Sequence, residues 1–230
     1  LINTATNTFE NNGTINATAE GTSAIEVKDG ATTTTLNFGE KSDVNGLIHL
    51  AAGTVNMTFN GTQDELTIKT EQQANYGSNS TPCETLAVNL TLDKGANITL
   101  EDGQAATFET VELENSRLNA SIWGADNTFK SVTVKENGIF NVTKLNSKSE
   151  GATENDQLLL ARDTTWNLHG GKLYVAGTEY TGTLRIGSGK DKGSGLLNVS
   201  EGSALNLTRL EVQKSGTVNV NADGSITTET

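Results

Sequence analysis

The chain has 230 residues, of which 34% are hydrophobic and 19% charged, with 24 Gly but only one Pro (Pro82) and one Cys (Cys83). A net charge of −12 disfavours nucleic acid and anionic membrane faces as partners, since both call for a basic surface. A single cysteine excludes an internal disulfide and a cysteine-based metal site, and no apolar run reaches the ~18–20 residues of a transmembrane helix.

Low hydrophobicity with high polarity also describes disorder. Here the charge content is modest and the apolar residues are patterned, which argues for a folded chain. Asn and Thr are over-used and suit strands and tight turns better than helix interiors. Long Ala/Leu/Glu/Lys-rich stretches, the mark of a helical bundle, are missing. The opening Leu1-Ile2-Asn3-Thr4 has no signal-peptide layout. The expectation is a fragment excised from a longer exported protein, for which near-absence of cysteine is suited.

One phrase recurs along the chain: a small residue, a spacer, an apolar residue, Asn, then another small or apolar residue. It reads Gly13-Thr14-Ile15-Asn16-Ala17, then Gly53-Thr54-Val55-Asn56-Met57. A variant at Gly95-Ala96-Asn97-Ile98-Thr99-Leu100 carries Thr in the Asn place. Ser116-Arg117-Leu118-Asn119-Ala120, Gly138-Ile139-Phe140-Asn141-Val142 and Thr164-Thr165-Trp166-Asn167-Leu168 follow. Ser203-Ala204-Leu205-Asn206-Leu207 and Gly216-Thr217-Val218-Asn219-Val220 complete the series. Several copies have a second short strand just upstream, such as Ile48-His49-Leu50, Leu90-Thr91-Leu92, Val132-Thr133-Val134, Leu197-Asn198-Val199 and Leu210-Glu211-Val212. Within each strand apolar and polar residues alternate, as in a strand with one buried face.

The spacing selects an architecture. Thr99 to Asn119 is 20 residues, Asn119 to Asn141 is 22 and Asn141 to Asn167 is 26, while Asn206 to Asn219, at 13, breaks the rule. A period near 20 is one coil of a parallel β-helix. The expected fold is all-β, a right-handed parallel β-helix forming one domain over residues 1–230. Stacking would bring Ile15, Val55, Leu118, Phe140, Trp166, Leu205 and Val218 into inward columns. Gly would supply positive φ at the bends, and stacked Asn side chains would form ladders. Irregular loops are expected near 62–84, 146–156 and 187–195, and loops are where a rigid scaffold usually carries binding. The alternative is a β-sandwich or antiparallel barrel. Its hairpins would use two-residue turns such as Asn12-Gly13, Asp29-Gly30, Asn45-Gly46, Asn60-Gly61, Asp102-Gly103, Asn137-Gly138 and Asp223-Gly224.

These rung phrases, most clearly Leu210 to Val220 and Val132 to Val142, resemble the passenger domains of Gram-negative autotransporter adhesins, including the AIDA-type and self-associating members. The resemblance spans most of Gly46 to Val220. It implies a β-helix displayed outside the outer membrane, acting in adhesion, cell aggregation or biofilm growth. The doubled Gly pairs of close AIDA-type repeats are largely missing, and a two-partner-secreted filamentous adhesin shares the same features.

Chemistry is sparse in the sequence. His49 and His169 sit in rung-like segments, and no Gly-x-Ser-x-Gly elbow accompanies them. Asp93, Glu101, Asp102, Glu112 and Glu114 could line a carbohydrate-active face, but acids are common throughout. Aromatic residues for sugar stacking are few: Trp123, Trp166, Tyr76, Tyr174 and Tyr180, with Trp166 expected in the core. Gly187-Ser188-Gly189-Lys190-Asp191 echoes a calcium-binding repeat but stands alone. Asn-x-Ser/Thr sequons at Asn12, Asn16, Asn56, Asn60, Asn89, Asn119, Asn141, Asn198 and Asn206 largely coincide with rung phrases. No catalytic, cofactor or metal residue is assigned.

The expected function is a non-enzymatic, extracellular adhesin module on the bacterial surface. Its polar side would self-associate, with acids of one rod meeting Lys41, Lys69, Lys130, Lys135, Lys144, Lys190 or Lys192 of another. Host matrix protein or glycan, bound by the protruding loops, is the alternative partner. A carbohydrate-active β-helix enzyme is a third reading.

Overall fold

The computed structural model describes residues 6–17, 22–28, 32–70, 86–101, 106–121, 128–143, 157–160, 163–187, 193–221 and 223–229. Among these residues there are strands, turns and bends but no helix. Nine strands lie side by side in one sheet: Thr6–Asn11, Thr33–Phe38, Thr54–Asn60, Ala87–Asp93, Thr107–Leu113, Ser131–Val134, Thr164–His169, Gly195–Ser200 and Gly216–Val220. Every neighbour pair along it is parallel. Strands that follow one another in the sheet are separated by a whole coil of chain, so each contributes one rung. The fold is the expected parallel β-helix, and right-handed coils are the rule for parallel crossovers. Nine rungs at strand spacing make a stack about 40 Å long.

A second sheet supplies another side of the coil. It runs from Ser23–Val27 through Leu47–Leu50, Gln63–Thr70, Ala96–Leu100, Arg117–Ala120 and Ile139–Val142 to Lys172–Val175, and ends on Thr178–Glu179. Three small sheets complete the remaining sides. One holds Gln157–Leu160, Thr183–Ile186 and Arg209–Val212; the others pair Thr14–Asn16 with Asp43–Asn45 and Ala204–Leu207 with Ser225–Thr228.

Alternation drives these elements. Thr54–Asn60 buries Val55, Met57 and Phe59 while its intervening residues face outward. Inward positions stack in columns, such as Phe9, Leu36, Met57, Leu90, Val111, Val132, Trp166, Leu197 and Val218. Aromatic rings pack both along columns and across the core: Phe38 stacks on its column neighbour Phe59 with centroids 4.4 Å apart. Phe140 sits edge-on between Phe129 (5.4 Å) and Trp166 (5.1 Å).

The recurring phrases were expected to fill equivalent places, and they do not. Val55, Trp166 and Val218 lie on the nine-rung sheet, and Leu118 and Phe140 lie on the second sheet. Ile15 pairs with Val44 and Leu205 with Ile226 in the two-stranded sheets. The phrase marks any strand that starts just after a corner, whichever side of the coil it occupies. That also accounts for the 13-residue step from Asn206 to Asn219, which stays within one coil and passes through the intervening strand Arg209–Val212 of another sheet.

The Asn-Gly and Asp-Gly pairs resolve the same way. Asn12-Gly13, Asn45-Gly46, Asn60-Gly61, Asn137-Gly138 and Asp223-Gly224 sit at corners between sides, not at hairpin turns. Asp29-Gly30 and Asp102-Gly103 lie outside the described residues. The one antiparallel pair described is Lys172–Val175 with Thr178–Glu179, turned by Ala176-Gly177. Glycine at the head of the phrase serves in two ways. Gly216 is needed for close approach, because a Cβ there would lie 2.2 Å from the Ile186 carbonyl oxygen. Gly53 (84°) and Gly95 (94°) supply the expected positive φ at the head of their phrases, and corner residues such as Asn115 (47°) and Asn137 (56°) share that conformation, which Asn tolerates.

Of the expected loop near 62–84, Gln63–Thr70 is a strand. Leu66 and Ile68 are buried in the second sheet, and the buried Gln63 side chain acts as an extra peptide group. Its Oε1 accepts from the Val44 N–H (3.0 Å) and its Nε2 donates to the Val44 carbonyl (3.2 Å). Polarity there was read as looseness, but this polar side chain closes a gap between sheets. Residues 71–85, 144–156 and 188–192 lie outside the described residues, so the loop expected at 146–156 and the middle of that at 187–195 do too. Gly195 begins a strand.

The core makes one firm prediction. Phe140→Ala removes a fully buried ring between two aromatic neighbours and should cost about 3–5 kcal/mol, read as a lower urea midpoint. A loss under about 1 kcal/mol would contradict the column packing.

Candidate functional site

The broadest regular surface is the outer side of the nine-rung sheet. Two outward columns run its length. One holds Glu10, Asn37, Thr58, Thr91, Glu112, Thr133, Asn167, Asn198 and Asn219. Beside it run Thr8, Thr35, Asn56, Asn89 and Thr110, then Ser131, Thr165, Leu196 and Thr217. A third, shorter column holds Thr6, Thr33, Thr54, Ala87, Thr107 and Thr128. The result is a grid of hydroxyls and amides, one row per rung.

The side chains bond up and down the columns. Asn89 Nδ2 donates to Asn56 Oδ1 at 2.8 Å, and the Thr110 hydroxyl donates to Asn89 Oδ1 at 2.8 Å. Farther along, Asn167 Nδ2 donates to Thr133 Oγ1 (3.2 Å), Asn198 to Asn167 (2.7 Å) and Asn219 to Asn198 (2.8 Å). The second sheet has its own ladder. Asn119 donates to Asn97 (3.1 Å) and Asn141 to Asn119 (2.9 Å). The Gly177 N–H caps it by donating to Asn141 Oδ1 at 2.9 Å. An Asn amide has two donors and an acceptor with two lone pairs, so one ladder bond in each direction leaves capacity facing outward.

Charge is scarce on this grid. Glu10 and Glu112 are the only ionisable side chains in the two long columns. Glu112 is matched by Lys135, with Nζ 3.2 Å from Glu112 and 3.9 Å from Glu114. Lys130 is paired with Glu109 at 2.6 Å, where an irregularity in the register between Phe108 and Thr110 displaces Glu109. Lys94 bonds Glu40, which holds the Glu40 carboxyl below its usual range.

These pairs change the reading of the lysines. Lys130 and Lys135 were expected to reach acids on another rod, and both already have acids on this one. Lys144, Lys190 and Lys192 lie outside the described residues.

Of the described acidic candidates only Glu112 and Glu114 come together, around Lys135. Glu112 faces outward on the grid, Glu114 stands at the adjoining corner, Asp93 ends a strand opposite Asn60, and Glu101 follows the second sheet; Asp102 lies outside the described residues. Among the described residues no group of three or more His, Cys, Asp or Glu could hold a metal ion. His49 lies in the second sheet, 3.6 Å from Glu26, and His169 ends a strand of the first. Trp166 is buried, as expected. Tyr180 is buried too: its hydroxyl accepts from the Leu158 N–H (3.2 Å) and donates to the Thr183 carbonyl (2.7 Å). Tyr76, Trp123, Cys83 and Ser188 to Asp191 lie outside the described residues.

The grid was only half visible beforehand. The Asn phrases were seen, but the matching Thr columns were not. The available signal was the sequon itself. Asn56-Met57-Thr58 and Asn89-Leu90-Thr91 are two grid positions read along one strand, since residues two apart share a face.

No family model, curated protein or solved structure matches the chain.

Two predictions concern the ladders and their borders. Asn198→Ala severs the ladder between Asn167 and Asn219 and should cost about 1 kcal/mol, seen as a lower midpoint with unchanged circular dichroism. Asp163, at the start of a rung, accepts bonds from the Ser194 N–H and hydroxyl, each at 3.0 Å. Those bonds hold its carboxyl below the usual value of 3.8. A carboxylate with a lowered folded pKa stabilises above its unfolded pKa and ceases to as pH falls through the folded one. Asp163→Asn should therefore melt earlier than the parent at pH about 6, with the gap closing below pH about 4. A gap independent of pH would contradict this.

Proposed function

We propose that this chain is a non-enzymatic adhesin module of the bacterial surface, resembling an autotransporter passenger, whose Thr/Asn grid self-associates with a second copy. One observation carries the reading: the grid, two columns wide over nine rungs, holds only two ionisable side chains in a molecule of net charge −12. A surface meeting its own copy cannot place like charges opposite each other without cost. Groups that both donate and accept can face themselves. Each contact is weak, and a long row of them adds by multivalency.

The internal pairing of Lys130 and Lys135 makes the contact one of hydrogen bonds rather than exchanged ion pairs. Salt then acts mainly on net-charge repulsion, whose range is a Debye length. Self-association, measured by sedimentation or light scattering, should strengthen between about 0.02 M and about 0.2 M salt. Thr91→Glu with Thr217→Glu, both on the grid, should return the protein to monomer. A wild type that stays monomeric at high concentration overturns self-association. Dissociation by salt restores the charge-paired model.

A further inference from the structure

We infer that the second sheet carries a binding subsite for a carboxylate-bearing sugar, centred on Arg117 and Tyr174. Of the described arginines, Arg185 and Arg209 both pair with Glu211, whereas Arg117 has no carboxylate partner among the described residues. Its Nε donates to Asn119 Oδ1 at 2.9 Å, and its guanidinium lies 5.8 Å from the centroid of the Tyr174 ring. Register places these groups on one outward face. Arg117 aligns with Ile139 and Ile139 with Lys172, while Asn119 aligns with Asn141 and Asn141 with Tyr174. Arg117 thus reaches across one rung to a ring two rungs away.

That arrangement suits an anion with a particular shape. The Asn119 bond and the ring hold the guanidinium plane, a cation–π geometry, while the two terminal nitrogens stay available as a fork for a carboxylate. Tyr174 is partly exposed and stands on an outward position of its strand, whereas Tyr180 and Trp166 are buried. Lys172 is exposed and paired with Glu179 at 3.6 Å, and Glu179 stands opposite Tyr174, so this pair offsets its own charge and leaves Arg117 as the unpaired cation.

A sugar fits this face better than a peptide does. The strands carrying Arg117, Asn141 and Tyr174 are paired on both sides within the sheet, so an extended peptide finds free backbone groups only at the two-residue edge strand Thr178–Glu179. A ligand meets side-chain amides, a ring and a guanidinium, the partners of a hydroxylated ring bearing a carboxylate. The site is distinct from the Thr/Asn grid and does not depend on self-association.

The test uses 3′-sialyllactose, with lactose and an Asp-rich peptide as comparison ligands, in calorimetry on the whole chain. Sialyllactose should bind with a Kd of about 1 mM or tighter, and lactose should bind at least about tenfold more weakly. Arg117→Gln should weaken sialyllactose by about tenfold or more. Arg117→Lys, which keeps the charge but not the fork, should weaken it too. Each variant's melting temperature should stay at the parent value, as expected for a surface site. No sialyllactose binding by the parent, equal binding of lactose, or unchanged binding by Arg117→Gln each overturns the proposal. Equal binding of the Asp-rich peptide overturns the choice of a sugar. Sedimentation of the same samples separates this result from that for self-association.

Discussion

The structure depends on parallel rungs in register, which make each side chain the neighbour of the residue in the same column above and below. At a spacing of about 4.8 Å, every column must tolerate itself. Inside, apolar columns do so by packing, as Phe38 on Phe59 illustrates. Outside, a column of like charges would repel, so the outward positions favour groups that donate and accept at once. Asn and Thr meet that condition and Glu and Lys do not. The low charged fraction and the Asn and Thr excess are consequences of stacking as much as of function. Several outward charges sit across rungs from an opposite partner, as Lys130 does with Glu109.

Much of this was legible in the sequence because period-2 alternation and a coil-length repeat are both local properties. The β-helix, the inward direction of Val55, Leu118, Phe140 and Trp166, and the Asn ladders could all be read from short phrases. Column membership could not. Asn56 and Asn89 are ladder partners 33 residues apart, and Asn198 and Asn219 are 21 apart, because some coils carry extra length. A repeat of unequal coils hides which phrases share a side. The role of Gln63 was also illegible, since its partner Val44 belongs to the preceding coil and a different sheet. The same holds for Arg117 and Tyr174, joined only by two steps of register.

Side-chain groups finish what the backbone leaves incomplete. Gln63 supplies a donor and an acceptor where the small sheet of Asp43–Asn45 meets the strand Gln63–Thr70. Tyr180 does the same at the edge of the three-stranded sheet, where its hydroxyl serves Leu158 and Thr183. Buried polar groups that lose such partners are costly. Gln63 thereby ties two sides of the coil to one another, and Tyr180 closes the edge of a third.

The short hairpin of Lys172–Val175 and Thr178–Glu179 has a mechanical meaning. By occupying the edge of the second sheet it ends that sheet, and the next rung on this side begins a separate two-stranded sheet at Ala204–Leu207. Across this boundary the nine-rung sheet and the three-stranded sheet stay continuous, so the backbone ladder is broken on this side while the other two run on. At the break this side passes axial load through side-chain bonds, with the Ser203 hydroxyl accepting from the Gly170 N–H and donating to the Gly171 carbonyl, while the other two sides carry it through backbone ladders.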